Sequence, residues 1–460
     1  MDRNLIREVL DLAMSTGADF AEVFIERTLS KGIQILDHRV HSAQGADSSG
    51  IGLRIYKGKR TVYGSSGDLS RSAVLSLARR VAGAFSETRI ASAQILCDCI
   101  PRNITPVRIV PSSVPNKAKI DVIRMADDGA RSFDSSISQV SSSLSDIDRT
   151  FTVANSDGLF TGDRQIYTRL KVSAIASSGT ENQTGFNGPG RQGGMELFPS
   201  EIDPEQTGKE AARQAVVNLH ASYCKGGTYA VAIENGFGGV IFHESTGHSL
   251  EATQVAYGNS EFSGKLGQLI ANPKLTAIDD GTIPGAWGSV NIDDEGRPGQ
   301  RNVLIENGVL KSFMVDTFNA RLMDGCQPTG NARRESFEYA PTSRMTNTFI
   351  APGDDEDSDI IGSIENGIYC RKMGGGSVDP SSGAFNFAVD EGYMIRSGKI
   401  CEAIRGATLI GRGSEVIRKI DMVGRHLKLA QGMCGSLSGS VPVNVGQPLI
   451  RVSSITVGGR

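Results

Sequence analysis

The chain has 460 residues, with 55 glycines, 48 Lys plus Arg and 51 Asp plus Glu, for a formal charge of -3. Such a length implies two or three domains at roughly 100–200 residues each, and the absence of a Gly-X-Y period with only 16 prolines excludes collagen and a disordered Pro/Gly tract. Balanced charge without a basic run argues against nucleic acid as the main partner, and no stretch of 18 apolar residues offers a membrane span.

The first residues, MDRNLIREVLDLAM, carry acids within an apolar pattern, unlike a targeting peptide. Leu5, Ile6, Val9, Leu10 and Ala13 recur at helical spacing, so a helix is expected over 3–14. The period then falls to two. AEVFIERT, GIQILDHRV, GIGLRIYKG and RTVYGSS read as short strands of an antiparallel meander, turning at Lys57-Gly58-Lys59. Asp68 is expected to cap a helix over 69–85.

A similar order follows: a helix over 117–133, strands at ISQVSSSLSDIDRTFTVANSDG and RQIYTRLKVSAIAS, and a helix over 204–220. That order suggests an internal helix-meander-helix duplication. ENQTGFNGPGRQGG, at 181–194, reads as a Gly/Asn loop.

Beyond residue 226 the texture is β-rich, with Asn307-Gly308 and Ser397-Gly398 as hairpin turns and helices near 317–323, 353–364 and 414–422. DDEDSD at 354–359 lacks calcium-loop spacing and reads as a solvated acidic loop. The expected fold class is α+β: an N-terminal domain of antiparallel meanders with flanking helices (1–225), then a β-rich domain carrying a metal-binding helix (226–460). Of the glycines, 19 lie in 1–225 and 36 in 226–460, so the surplus belongs to the second half.

The seven cysteines form no CxxC pair, and an odd count over a long chain indicates a reducing compartment, so a cytoplasmic location is expected.

The chemistry concentrates at GGVIFHESTGHSLEA, 238–252, which holds H-E-x-x-x-H. Zinc helices ordinarily carry H-E-x-x-H, with histidines four apart on one face. Here His243 and His248 are five apart, about 140° around an ideal helix. A π-type turn would absorb the extra residue and realign them, and Gly247 would ease that distortion. Glu244 is the expected general base on a metal-activated water. A catalytic zinc site needs a third protein ligand. Glu251, three residues past His248, and Cys434, in QGMCG, are both candidates, and spacing leaves both open.

The chain resembles the TldD/PmbA family of metallopeptidases, and its metal-bearing TldD-type subunit in particular. The resemblance rests on GGVIFHESTGHSLEA, DDEG at 293–296, RNVLIENGVL, TGNARRESF at 329–337, RMTNT at 344–348, GGGSVDPSSGAFNF at 374–387, EGY at 391–393, GMCG, and ITVGG at 455–459. It implies a metal held by His243, His248 and Cys434, with Glu244 catalytic and Glu251 orienting His248 from outside the ligand set. It further implies zinc, with iron also compatible, and hydrolysis of unfolded peptides captured as an added strand. The implied assembly is a homodimer or a heterodimer with a related metal-free subunit, and the alternative role is a non-catalytic peptide-binding partner. Arg344, Asn347 and Tyr393, inside the resembling motifs, are candidate substrate contacts. Ser436 stands where the family pattern has lysine.

Overall fold

The computed structural model describes residues 1–89, 91–379 and 382–459; Pro380 and Ser381 of the motif at 374–387 lie outside them. The chain is α+β, as the sequence pattern implied. Its N-terminal half is built on one sheet: β1 (Phe20–Leu36), β2 (Arg39–Lys57), β3 (Arg60–Ser66), β4 (Cys97–Asp98), β5 (Ile137–Asn155), β6 (Leu159–Ser178), β7 (Glu181–Asn187) and β8 (Gly190–Gln192). The order is β3-β2-β1-β5-β6-β4, with β7 and β8 also paired to β6.

Helices cover this sheet in two pairs. In α1 (Arg3–Ala13) and α2 (Arg71–Ala82), Ile6, Val9, Leu10, Val74 and Leu77 pack on Val23, Leu53 and Ile55. Alanines of α3 (Asn116–Arg131) and α4 (Pro204–His220) pack on Val140, Leu170 and Val172. Full burial of each larger aliphatic contributes about 1.5–3 kcal/mol.

Four local expectations change. GIQILDHRV is not one strand, because Asp37 and His38 both take positive φ (48° and 65°) and turn β1 into β2. Such turns usually carry glycine or asparagine, so the signal is weak in sequence. Ser70, rather than Asp68, caps α2, accepting from the Ala73 amide; Asp68 instead accepts from the Ser70 amide. The expected loop at 181–194 supplies β7 and β8, whose partner β6 is the long strand before it. DDEDSD is only half loop, since Asp357–Gly362 is helical and Asp355 accepts from Lys274 and the Val423 amide.

The C-terminal half contains a closed barrel and a second sheet. Strands β9 (Gly227–Ile233), β10 (Asn366–Val378), β11 (Ala384–Arg396), β12 (Thr408–Arg412) and β13 (Ile450–Gly458) close the circuit β9-β10-β11-β12-β13-β9. Val231, Ile368, Phe387, Leu409 and Val452 belong to its core. The second sheet runs Val309–Leu310, Arg301–Glu306, Ala277–Asp280, Asn347–Ile350, Gly439–Gln447, Lys428–Ser436, so the last of these is an edge strand. Both expected hairpin turns are present, with positive φ at Asn307, Gly308, Ser397 and Gly398. The helix expected near 414–422 ends at Lys419 and continues as strand Ile420–Val423.

Candidate metal centre

The segment after β9 coils against the barrel core through Ile241 and Phe242, both buried. Gly239 permits this approach: a Cβ there would lie 2.4 Å from the Gly446 amide. The next five residues, His243–Gly247, form a π-helical turn in which the His248 amide donates to the His243 carbonyl. The extra residue is thereby absorbed, and the two imidazoles stand edge to face, with ring centroids 5.1 Å apart and planes 83° apart.

Gly247 has a different reason from the one expected. Its φ of -54° is ordinary, but a Cβ would lie 2.4 Å from Met345 Sδ.

Cys434 arrives from the edge strand Lys428–Ser436. Its Sγ lies 3.2 Å from His243 Nε2 and 3.3 Å from His248 Nε2, and the three donor atoms all fall within 4.8 Å of one another. Tetrahedral zinc bound by a thiolate and imidazoles spaces neighbouring donors by about 3.3–3.6 Å, so this trio fits such an ion. Burial alone would raise the Cys434 thiol, but the two imidazoles outweigh it and hold the thiol well below its usual range. Burial likewise disfavours charge on His248, yet Glu251 and Cys434 raise it well above its ordinary value. In each case neighbours of complementary charge in a dry site outweigh burial and favour the charged form.

The flanking carboxylates differ. Glu244 Oε2 stands 3.6 Å from His248 Nε2, and its side chain keeps 24% of its exposure. It lines a cavity of 430 Å³ together with His248, Ser436 and Leu437. Glu251 is neither exposed nor helical: it is 2% exposed, with an extended φ and ψ of -75° and 129°. Its Oε1 lies 3.3 Å from His248 Nδ1, the nitrogen remote from Cys434, within ion-pair reach but off-line for a hydrogen bond. His243 Nδ1 has no hydrogen-bond partner among the described residues.

Arg344 and Asn347, the expected substrate contacts, are fully enclosed, and their polar groups are engaged within the fold. Arg344 donates to the Cys434 carbonyl, to Ser438 Oγ (3.0 Å) and to the Gly439 carbonyl (2.8 Å), and its Nε lies 3.9 Å from Glu251. It therefore braces both the cysteine strand and the carboxylate behind His248. Asn347 donates to the Asp280 carbonyl and Ser289 Oγ. Tyr393 donates to Glu391 Oε1 at 2.6 Å, so its hydroxyl is already partnered within the fold. Asp279 escaped the sequence reading. Buried, it accepts from the Thr346 amide and the Thr346 and Thr348 hydroxyls, fixing the strand after Arg344. Nothing in its local sequence signals that role.

A second group of donors, His38, Asp127 and Asp128, is partly exposed, and Asp127 already accepts from Arg131 Nε at 2.9 Å.

Comparison with known proteins follows the same layout. Three models of the PmbA/TldA metallopeptidase match in chain order: domain 1 over 21–84, the central domain over 109–219 and the C-terminal domain over 226–459. A Metalloprotease TldD homolog of Haemophilus influenzae is 35% identical over 98% of this chain and 95% of its own length. A metalloprotease of Methanothermobacter thermautotrophicus is 32% identical over 96% of each chain. A Zinc metalloprotease TldD homolog of Saccharolobus solfataricus is 25% identical over 97% of this chain and 98% of that one. Among solved structures, TldE from Thermococcus kodakarensis superposes with a TM-score of 0.75 at 19% identity, covering 99% of this chain and 100% of that one. From the ordered domain matches and the near full-length relatives, the chain belongs to the TldD/PmbA family of metallopeptidases.

Proposed function

We propose that this protein is a zinc-dependent peptidase acting on unfolded peptides, with His243, His248 and Cys434 as metal ligands and Glu244 as general base. The observation that carries this reading is the convergence of three buried donors within 4.8 Å beside a carboxylate that opens on a cavity. The donor set, two imidazoles and a thiolate, suits zinc, and the zinc relative named above is in keeping with it. When bound, the ion supplies Lewis acidity and lowers the pKa of a water in its open position.

The protein's own groups do the rest. Glu244 removes a proton at its exposed carboxylate and returns it to the leaving amine. Glu251 holds His248 in one orientation through Nδ1, and Arg344 holds Glu251 and the Cys434 backbone together.

Gly435, Ser436 and Leu437 line the same cavity, whose 430 Å³ is too small for a folded domain and in keeping with a short peptide segment. Ser436, among these lining residues, offers a hydroxyl in place of a cation, which suits substrates without an acidic group at that point. The working unit is a homodimer or a heterodimer with a metal-free relative, in the cytoplasm. Glu244→Gln tests the mechanism: the variant should bind zinc normally and lose about 10²–10⁴-fold in cleavage of an unfolded peptide. Normal cleavage by the zinc-loaded variant would refute the assigned base.

A further inference from the structure

The hairpin that carries Cys434 has a second face. Side chains alternate along a strand, and while Cys434 faces the imidazoles, Met433 and its cross-strand partner Pro442 line a separate cavity of 310 Å³. The opposite walls are Ile147, Arg149 and Tyr167 of the N-terminal sheet, with Arg333 and Arg334 between.

Most charges there are matched. Arg149 pairs with Glu26 (2.6 Å) and Asp294 (3.1 Å), Arg334 pairs with Glu22 (2.9 Å), and the Glu335 carboxylate accepts from the Ser440 amide (2.6 Å). Arg333 is the exception. It is 4% exposed, yet its hydrogen bonds are two from Nη1 to the carbonyls of Met345 (2.8 Å) and Pro442 (2.6 Å). Among the described residues no carboxylate lies within ion-pair distance of it, Asp294 acting on it only from farther off, and no hydrogen bond of its Nε or Nη2 accompanies the two from Nη1 although the residue lines the cavity. A buried guanidinium without a contacting counter-charge is costly unless an anion joins it. The remaining lining is apolar at Ile147, Tyr167, Met433 and Pro442 and polar at Thr28, Ser48, Gln165, Ser336 and Ser440.

We propose that this cavity is a binding site for a carboxylate on a short apolar stem, held by the Arg333 fork with its stem against Ile147, Tyr167 and Met433. Paired N–H donors in one plane match the two oxygens of a carboxylate. The volume, at the lower end for small-molecule sites, accommodates a single residue or two. The C-terminal residue of a peptide and a free small apolar acid share this chemistry. The site is independent of the metal reading, because its walls include none of the candidate ligands.

Trp287, the sole tryptophan, packs edge-on against Tyr167 at 5.1 Å and reports on the cavity by fluorescence. The full-length Glu244→Gln chain would be titrated with N-acetyl-leucine, N-acetyl-leucinamide and acetyl-Ala-Ala-Leu, with calorimetry as a second readout. The two acids should bind saturably and the amide should not. Arg333→Met should weaken the acids at least about tenfold, with partial recovery in Arg333→Lys. Should Arg333→Met fail to fold, Ile147→Phe, which fills the apolar end, is expected to block binding instead. Tighter binding of the tripeptide identifies a peptide terminus; equal or weaker binding identifies a free acid. Equal binding of acid and amide, affinity unchanged by Arg333→Met or by Ile147→Phe, or no saturable binding of either acid would overturn the proposal.

Discussion

Glu244 and Glu251 are the same residue type seven positions apart, and their surroundings divide their roles. Glu244 opens on the cavity, whereas Glu251 is enclosed between His248 Nδ1 and Arg344. Removing the Glu251 charge should loosen His248 without disturbing the ligand atoms themselves. Glu251→Gln is expected to lower zinc affinity about 10–100-fold, measured by competition with a chromogenic chelator. Unchanged affinity would make Glu251 a packing residue. At this scale the sequence was informative where residue type limits the chemistry: histidine, cysteine and the glutamate after the first histidine. The bracing contacts of Arg344 were not legible, because its partners, Glu251 and the carbonyls of Cys434 and Gly439, are distant in sequence.

The decisive element is the π turn over His243–Gly247. It was legible because five-residue spacing allows few other ways to aim two histidines at one point, and the amide of His248 closes the turn onto His243 as that argument requires. The reason for Gly247 was not legible, since Met345 approaches it from nearly a hundred residues away. Alanine normally stabilises a helix relative to glycine by about 1 kcal/mol. Here the clash should reverse the sign: Gly247→Ala is expected to destabilise by about 1–3 kcal/mol in urea unfolding, and Met345→Ala should rescue it. A stabilised Gly247→Ala chain would contradict this packing account. Elsewhere, turns built on glycine were readable and the Asp37-His38 turn was not, because its positive φ values rest on residues that adopt them less often.

Across the whole molecule, buried ion pairs join the two halves. Arg54 of β2 bonds Glu22 and Glu295, Arg334 reaches back to Glu22, and Arg213 of α4 pairs with Glu391 of β11 at 2.6 Å. Contacts of such range are invisible to local periodicity. We infer from β1 and β5 pairing at the centre of the N-terminal sheet, each continuing into its own hairpin, that this half is a duplicated unit. Glu391 gives a pH test of the junction. Burial alone raises its carboxyl, but Arg213, Tyr393 and Arg371 outweigh burial and hold it below the ordinary value. The stability it contributes is therefore complete above about pH 4.3 and is lost as pH falls through the depressed value. Melting curves should show wild type above Glu391→Gln at pH 7, with the gap closing below about pH 4; a gap independent of pH would contradict the pairing. The central claim, that His243, His248 and Cys434 hold one metal, is tested most directly by native mass spectrometry of chain stripped with chelator and reloaded with zinc. The account predicts one zinc per wild-type chain and its loss in folded Cys434→Ser, whereas undiminished zinc in Cys434→Ser would contradict it.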